Sequence, residues 1–307
     1  MEDELRNFDR ELVDKIMADI LDRGQPVSFS DISGLAFAKK CVTELICWPM
    51  TRPDLFKGLR ALPRGLLLFG PPGTGKTLIG KAIAHQSGAT FFSISASSLM
   101  SKWIGEGEKT VRTLFAVAAY RQPAVVFIDE VDSLLCARSS EENEASRRIK
   151  TEFMVQLDGA GTNQEARVVI VGATNRPEEL DEAVRRRFVK RIYIPLPDED
   201  SRRQLLTMLL SDIAHELQQT DTDALVDKTQ GYSGADIRAL CQEAAMGPVR
   251  EAAAMGDLQN IDALAMPPIS VLHFAEAVEA VLPSVSSGDL HRYVEWNNSY
   301  GSFRRMI

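Results

Sequence analysis

Hydrophobic residues recur along this chain with two spacings, and these spacings predict its secondary structure. From Glu11 to Leu21 they fall three and four positions apart, which predicts an amphipathic helix ending before Gly24. Other short runs are apolar throughout, as in residues 124–128. Such runs are typical of strands covered on both faces of a parallel sheet. The chain therefore combines buried strands with amphipathic helices.

Strands and helices are predicted to alternate in the first part of the chain. The predicted strands are Gly65–Phe69, Thr90–Ser95, Ala124–Asp129, Val168–Thr174 and Arg191–Leu196. The helices predicted between them begin at Lys76 and cover Glu108–Tyr120, Ser146–Leu157 and Asp181–Arg187. This alternation predicts an α/β fold with a doubly wound parallel sheet.

After Pro195-Leu196-Pro197 the patterns are helical only, which predicts a small C-terminal helical domain. The predicted helices are Asp200–His215, Thr222–Thr229, Gly234–Ala245, Pro248–Ala254 and Ser270–Val281, followed by the aromatic segment Tyr293–Tyr300. We therefore divide the chain into a linker helix (1–26), an α/β domain (27–197), a helical lid (198–269) and C-terminal helices (270–307).

Composition and charge narrow the class of protein. The net charge of −8 argues against bulk attraction to nucleic acid, although a local basic patch is still allowed. The four cysteines show neither zinc-site nor disulfide-framework spacing, which favours a reducing compartment. No uncharged apolar run approaches the roughly 18 residues that span a bilayer, and no signal peptide is evident. We expect no membrane partner and a nuclear or cytoplasmic location.

The sequence GPPGTGKT at residues 70–77 fits the phosphate-loop pattern and directly follows a predicted strand. Glycines let successive backbone N–H groups and the start of the next helix point at a phosphate. Lys76 would reach the β- and γ-phosphates, and Thr77 would hold Mg²⁺. The alternative is a glycine- and proline-rich turn that binds no ligand. Because the predicted strand, loop and helix occur in the order that a phosphate loop requires, we predict a nucleoside triphosphate site.

Two carboxylates and an amide follow neighbouring predicted strands. Asp129 is expected to bind Mg²⁺ through water, and Glu130 to polarise the attacking water. The two acids could instead begin a solvated loop or cap a helix. Asn175 is the natural group to orient that water, but an asparagine before Arg176-Pro177 is, taken alone, more often a simple turn residue.

Several motifs, in this order, resemble those of the AAA ATPases. They are FSDISG at 29–34, GPPGTGKT at 70–77, FIDE at 127–130, GATNRP at 172–177, RRF at 186–188 and GYSGAD at 231–236. Residues 91–99, 101–109 and 186–195 more specifically resemble the microtubule-severing branch of katanin, spastin and fidgetin. The likeness is greatest to fidgetin-like proteins.

This resemblance implies a Mg²⁺-dependent ATPase that forms a homo-hexamer with ATP at each subunit boundary. The implied catalytic residues are Lys76, Glu130, Asn175 and two arginine fingers, Arg186 and Arg187, which reach the neighbouring site. On spacing alone the run 185–187 is more often a solvated basic helix face. The implied ATP-binding residues are Asp31, Ser33, Gly34, Pro72, Gly73, Thr74, Gly75, Lys76, Thr77, Leu78, Gly234 and Ala235.

The resemblance also implies a substrate-gripping pore formed by Lys102, Trp103, Ile104, Arg147 and Arg148. Trp103 could instead pack on its own subunit or at a ring contact, and the two arginines could pair with Glu141, Glu142 and Glu144. The implied substrates are tubulin or recombination proteins. Two alternative functions stay open: a motor or loader that acts on nucleic acid, and a nucleotide-gated scaffold. We do not expect nucleic acid to be the direct substrate.

Overall fold

The computed structural model describes residues 5–20, 24–96, 99, 107–136, 144–159, 167–255 and 266–303. Its strands are β1 (Gly65–Phe69), β2 (Thr90–Ser95), β3 (Ala124–Asp129), β4 (Val168–Thr174) and β5 (Lys190–Tyr193). They form a central five-stranded parallel sheet in the order β2-β3-β4-β1-β5, which confirms the predicted α/β fold class.

Both faces of the sheet are covered, because successive strand residues point to opposite sides. In β1, Leu66 and Leu68 belong to one core cluster, whereas Leu67 and Phe69 belong to the other. All four side chains are fully buried. This two-sided burial is why the central strands β1, β3 and β4 lack alternating polar positions, whereas the edge strands β2 and β5 carry partly buried polar residues.

Helices of the α/β unit flank these strands. They are α1 (Arg10–Lys15), α2 (Ala36–Val42), α3 (Trp48–Thr51), α4 (Lys76–Gln86), α5 (Gly107–Tyr120), α6 (Val131–Leu135), α7 (Glu144–Gly159) and α8 (Glu182–Arg187). The predicted first helix begins near its expected position, but a π-helical turn, Ile16–Ile20, continues it beyond Lys15. Residues 21–23 lie outside the described residues.

Strand β5 is shorter than the predicted Arg191–Leu196. It pairs with β1 up to Tyr193, and the N–H of Ile194 still donates to the carbonyl of Phe69 at 2.8 Å. Proline lacks the N–H that a strand ladder needs. Pairing therefore ends before Pro195.

The helical unit contains α9 (Glu199–Leu210), α10 (Gln219–Lys228), α11 (Gly234–Ala245), α12 (Gly247–Met255) and α13 (Val271–Ala280). Its core includes Leu206, Ile237 and Phe274. The prediction that α9 extends to His215 was wrong. His215 instead pairs with Ile269 in a short bridge, a tertiary contact that overrides the helical pattern.

The last helix, α14 (Ser287–Tyr300), packs back on the sheet, where Trp296 joins the core cluster that contains Phe69. It begins earlier than the predicted segment Tyr293–Tyr300, because the Ser286 side chain accepts a hydrogen bond from the N–H of Asp289 and caps the helix. Within the described ranges, no helix has the length and apolar character needed to cross a bilayer.

Gly80 provides a test of the packing between α4 and β3. A Cβ at this position would lie 2.5 Å from Cδ2 of the fully buried Phe127. We expect Gly80→Ala to destabilise the protein by about 1–3 kcal/mol, because overpacking outweighs the better helix propensity of alanine. The measurement is the free energy of unfolding in urea.

Gly288→Ala is the matched control, because the nearest atom to an added Cβ on this helical glycine is Ser286 Oγ at 3.8 Å. It should leave stability unchanged or raise it slightly. If Gly80→Ala were as stable as Gly288→Ala, the close packing of α4 on β3 would be wrong.

Candidate functional site

A cavity of about 430 Å³ lies between the loop after β1, the segment before α2 and the start of α11. It brings together most of the predicted ATP-binding and catalytic residues. These are Asp31, Ser33, Pro72, Gly73, Thr74, Gly75, Lys76, Thr77, Leu78, Asp129, Glu130, Asn175, Gly234 and Ala235. Gly34 does not line the cavity but follows Ser33 directly.

The phosphate loop requires glycine at Gly73 and Gly75, whose φ angles are +72° and +89°. A Cβ on Gly73 would also lie 2.7 Å from both Ala235 Cβ and Ser233 Oγ. The N–H of Ala235 donates to the carbonyl of Gly73 at 3.1 Å. The loop is therefore in direct contact with the helical unit.

The start of α11 is fixed by a capping box within the sequence Ser-Gly-Ala-Asp. The N–H of Asp236 donates to Ser233 Oγ, and the N–H of Ser233 donates to the Asp236 carboxylate. This reciprocal pairing positions Gly234 and Ala235 against the phosphate loop.

Lys76 is buried, and its ammonium donates to the carbonyls of Gly70 and Pro71 at 2.9 and 2.6 Å. Burial lowers the pKa of Lys76 to about 8, an effect that Asp129 and Asp132 partly oppose. A bound phosphate would supply the negative charge that favours the ammonium form. The side chain is thus poised at the loop that would surround a phosphate.

The side chains predicted to hold Mg²⁺ are in contact, with the Thr77 hydroxyl donating to Asp129 Oδ2 at 3.1 Å. Mg²⁺ prefers oxygen ligands and is usually held by one or two protein groups together with waters and phosphate oxygens. This hydroxyl–carboxylate pair fits that pattern. Among the described residues, no group of three or more His, Cys, Asp or Glu side chains could hold a metal by itself.

Glu130 adopts a left-handed backbone conformation, with φ +50° and ψ +44°. This conformation is costly for a residue with a Cβ, and such strain clusters at functional sites. The N–H of Glu130 donates to Asp129 Oδ1 at 3.0 Å, and its carbonyl accepts from Ser133 Oγ at 2.8 Å. The carboxylate belongs to an exposed residue on the cavity wall.

Asn175 follows the last residue of β4 and lines the same cavity. Its Oδ1 atom is buried and accepts no hydrogen bond within the described structure. A buried acceptor without a partner is costly, so it calls for a ligand or an ordered water. An acceptor beside the phosphate loop suits the predicted role of orienting a water.

Ser33 and Gly34 join the segment before α2 to α9. Ser33 Oγ donates to the carbonyl of Ser201 at 2.6 Å, and the N–H of Gly34 donates to Gln204 Oε1 at 3.3 Å. A Cβ on Gly34 would lie only 1.8 Å from Ser201 Oγ. The Ser33 hydroxyl therefore makes a contact that an alanine side chain could not make.

Sequence reasoning did not identify several residues of the helical unit that line the cavity, namely Leu205, Met208 and Arg238. Gln204, beside Ser33, was also missed. The sequence carries no local signal for them, because they reach the cavity only when α9 and α11 pack beside the phosphate loop.

The predicted arginine fingers do not line the cavity of their own chain. Arg187 forms a two-pronged ion pair with Asp158, at 2.8 and 2.5 Å, and also donates to the carbonyl of Ala183. Arg186 is 78% exposed and pairs with Glu182 one helical turn away. Their role in a neighbouring site remains a prediction.

Of the predicted pore residues, Lys102, Trp103 and Ile104 lie outside the described residues. Arg147 and Arg148 are exposed near the start of α7. Arg148 pairs with Glu144 at 2.5 Å, as the alternative interpretation expected, and lies 4.0 Å from Glu108. Glu141 and Glu142 also lie outside the described residues.

A phosphate loop, two acids and an amide at one edge of a parallel sheet define a nucleotide-binding α/β protein. Residues 66–196 match the ATPase family associated with various cellular activities (AAA). Residues 219–263 match the AAA+ lid domain, and residues 248–301 match the Vps4 C terminal oligomerisation domain.

Whole-sequence comparison gives the same result. Fidgetin-like protein 1 from Xenopus laevis is 55% identical over 99% of this chain, and its Homo sapiens counterpart is 54% identical over 98%. The chain spans only 46% and 44% of those two proteins, respectively.

Solved structures agree closely with this fold. The crystal structure of the FIGL-1 AAA domain in complex with ADP has a TM-score of 0.90 at 49% identity, covering 97% of this chain and 99% of that one. A katanin structure, determined to explain katanin self-assembly, has a TM-score of 0.79 at 37% identity, covering 94% and 97%. The chain belongs to the AAA ATPase family, and its resemblance to fidgetin-like proteins is confirmed. ATP binding and ATPase activity follow from this family.

The pKa of Lys76 leads to a testable pH dependence of nucleotide binding. Because phosphate favours the ammonium form, binding takes up a proton wherever free Lys76 is neutral, that is, above a pH of about 8. ADP affinity should therefore fall by up to about tenfold per pH unit above this point and be nearly flat just below it. The measurement is titration with a fluorescent ADP analogue between about pH 7.5 and 9.5.

Lys76→Met is the matched control, because it cannot titrate. It should bind ADP weakly and without this pH dependence. An affinity that stays flat in the wild type through the same window would show that Lys76 does not meet the phosphates.

Proposed function

We propose that this protein is a Mg²⁺-dependent ATP hydrolase that works as a hexameric ring and remodels a protein substrate threaded through its central pore. The observation that carries the proposal is where the cationic side chains of one chain lie relative to its nucleotide cavity. Among the described residues, Lys76 and Arg238 are the cations on the cavity wall, whereas Arg186 and Arg187 form ion pairs elsewhere. An arginine of the neighbouring subunit would then supply the cation that stabilises the charge developing on the phosphates during hydrolysis.

Within one subunit, the wall of the cavity supports the steps that precede bond breaking. The phosphate loop and Lys76 would bind the β- and γ-phosphates, and bound Mg²⁺ would neutralise charge on them. Glu130, held in its strained turn after Asp129, would accept a proton from the attacking water. The partnerless Oδ1 of Asn175 would accept a hydrogen bond from that water and orient it.

Ring assembly is supported from two directions. Residues 248–301 match a family that is described as an oligomerisation domain, and a katanin structure with the same fold comes from work on self-assembly. Arg186 is highly exposed and its ion pair with Glu182 lies on the surface, so breaking this pair to free the guanidinium costs little. In related systems an arginine finger contributes about 10³–10⁵ to the rate.

The proposed substrate is a polypeptide, with tubulin tails and nuclear recombination proteins as the candidates that the family relationship supports. Trp103 would grip the chain, because its large rigid ring makes sequence-tolerant contacts. Lys102 would attract acidic segments. We place the protein in the nucleus, with the cytoplasm as a second compartment.

Mixing two inactive variants tests whether the site is completed between subunits. Glu130→Gln should lower turnover by about 100-fold or more because it removes the general base. The double variant Arg186→Ala/Arg187→Ala should lose about 1,000-fold if both arginines serve the neighbouring site. A mixture should regain activity, because some sites then combine an intact Glu130 with an intact arginine pair. The measurement is steady-state phosphate release.

Each variant alone, at the total protein concentration of the mixture, is the control and should stay inactive. A mixture no more active than its components would contradict completion between subunits. So would full-rate hydrolysis by a strictly monomeric preparation.

A second experiment tests the proposed polypeptide substrate. Trp103→Ala should keep ATP turnover but lose binding of a labelled acidic tubulin-tail peptide, whereas Trp103→Tyr should retain most of it because an aromatic ring remains. Peptide binding is measured by fluorescence anisotropy in the presence of ATP, with Glu130→Gln added to every protein. ATP turnover is measured by phosphate release in proteins that keep Glu130.

Single-stranded DNA of similar length is the competing probe in the same experiment. Tighter binding of DNA than of peptide, with a steep dependence on salt, would favour a motor acting on nucleic acid. If Trp103→Ala leaves peptide binding intact, Trp103 does not bind the polypeptide substrate.

A further inference from the structure

The backbone of Asn175 is held from outside the sheet. The ladder between β1 and β4 ends with the pair Phe69 and Thr174, so no strand pairing fixes the next residue. Instead, the hydroxyl of Tyr293 in α14 donates to the carbonyl of Asn175 at 2.6 Å. This hydrogen bond joins α14, the last helix of the described residues, to a residue that lines the nucleotide cavity.

Tyr293 is itself held in place by aromatic packing. Its ring stacks on Tyr193 with 6.3 Å between centroids, and Tyr193 packs on Phe69 at 5.5 Å. One turn along α14, Trp296 meets Phe69 edge-on at 4.4 Å. Because Phe69 directly precedes the phosphate loop, the same rigid cluster supports both the loop and the Tyr293 hydroxyl.

A second contact fastens α14 over the turn that follows Asn175. Arg292 forms an ion pair with Glu178, which lies in the short helical turn Pro177–Glu179. Burial raises the pKa of Tyr293, and Glu178 and Asp289 add to this effect. The hydroxyl therefore stays protonated and remains a donor at physiological pH.

We infer that Tyr293 is a positioning residue for ATP hydrolysis: its hydroxyl fixes the backbone of Asn175 and thereby aims the Asn175 side chain at the attacking water. The inference rests on the proposed role of Asn175. It assigns to α14 a positioning role in hydrolysis within its own subunit, separate from any contribution to ring assembly. Small displacements of an orienting group are enough to slow a reaction strongly.

The test is a double-mutant cycle of Tyr293→Phe and Asn175→Ala. Tyr293→Phe removes only the hydroxyl, and we expect it to lower kcat by about tenfold while ADP affinity changes less than about twofold. Asn175→Ala should lower kcat at least as much. In the Asn175→Ala background, Tyr293→Phe should have no further effect on kcat, because the group that it positions is already absent.

Tyr193→Phe is the matched control. It removes a tyrosine hydroxyl from the same aromatic cluster but not the one that reaches Asn175. It should leave kcat within about twofold of the wild type, the range expected when no orienting contact is lost. All values of kcat are measured at protein concentrations above which the activity per subunit no longer rises. A defect in assembly is then not mistaken for slow hydrolysis.

The outcomes separate the inference from the proposal on which it rests. If Asn175→Ala leaves kcat unchanged, the water-orienting role of Asn175 is wrong. If Asn175→Ala slows hydrolysis but Tyr293→Phe does not, or the two effects multiply, only the positioning role of Tyr293 is wrong. A Tyr293→Phe defect that vanishes at high protein concentration, or an equal defect in Tyr193→Phe, also overturns the inference.

Discussion

Parallel pairing of β3, β4 and β1 is the constraint on which the candidate site depends. These neighbouring strands end at the same edge of the sheet, so the phosphate loop after β1 lies beside Asp129 and Asn175. Chain segments that are far apart in sequence thus form one cavity wall. The Thr77–Asp129 hydrogen bond is the most direct sign of this placement, because it joins α4 to the end of β3.

The helical unit completes the cavity through a few specific contacts. A Cβ on Gly73 would lie 2.7 Å from Ala235 Cβ, so a larger residue at this position of the loop would not fit against α11. Ser33 and Gly34 contact α9 from the other side. Since one wall comes from the sheet edge and the other from helices, a bound nucleotide would contact both units at once.

Helix α14 connects two regions that serve different proposed steps. Near its middle, Tyr293 contacts Asn175 in the nucleotide cavity. At its end, the carbonyl of Tyr300 accepts from Arg191, and the Tyr300 ring lies 4.5 Å from the Arg185 guanidinium. Arg185 directly precedes the proposed arginine fingers. One helix therefore contacts both the subunit's own site and the segment proposed to serve its neighbour.

The sequence alone determined the class of fold, the phosphate loop and the residues that follow the buried strands. These features are local, because an apolar run, a glycine-rich turn and a helix cap each depend on residues that are close together in the sequence. The Ser233–Asp236 capping box is an example. The end of β5 was misjudged because the strand pattern was extended through Pro195. The end of α9 was misjudged because the pairing of His215 with Ile269 decided it.

Only the tertiary structure decided which residues of the helical unit reach the cavity and what holds Asn175 in place. Leu205, Met208 and Arg238 have no sequence pattern that marks them, since their position depends on how α9 and α11 pack on the loop. The Tyr293–Asn175 hydrogen bond joins residues 118 positions apart. Periodicity reports which face of an element is buried, but not which distant residue that face will meet.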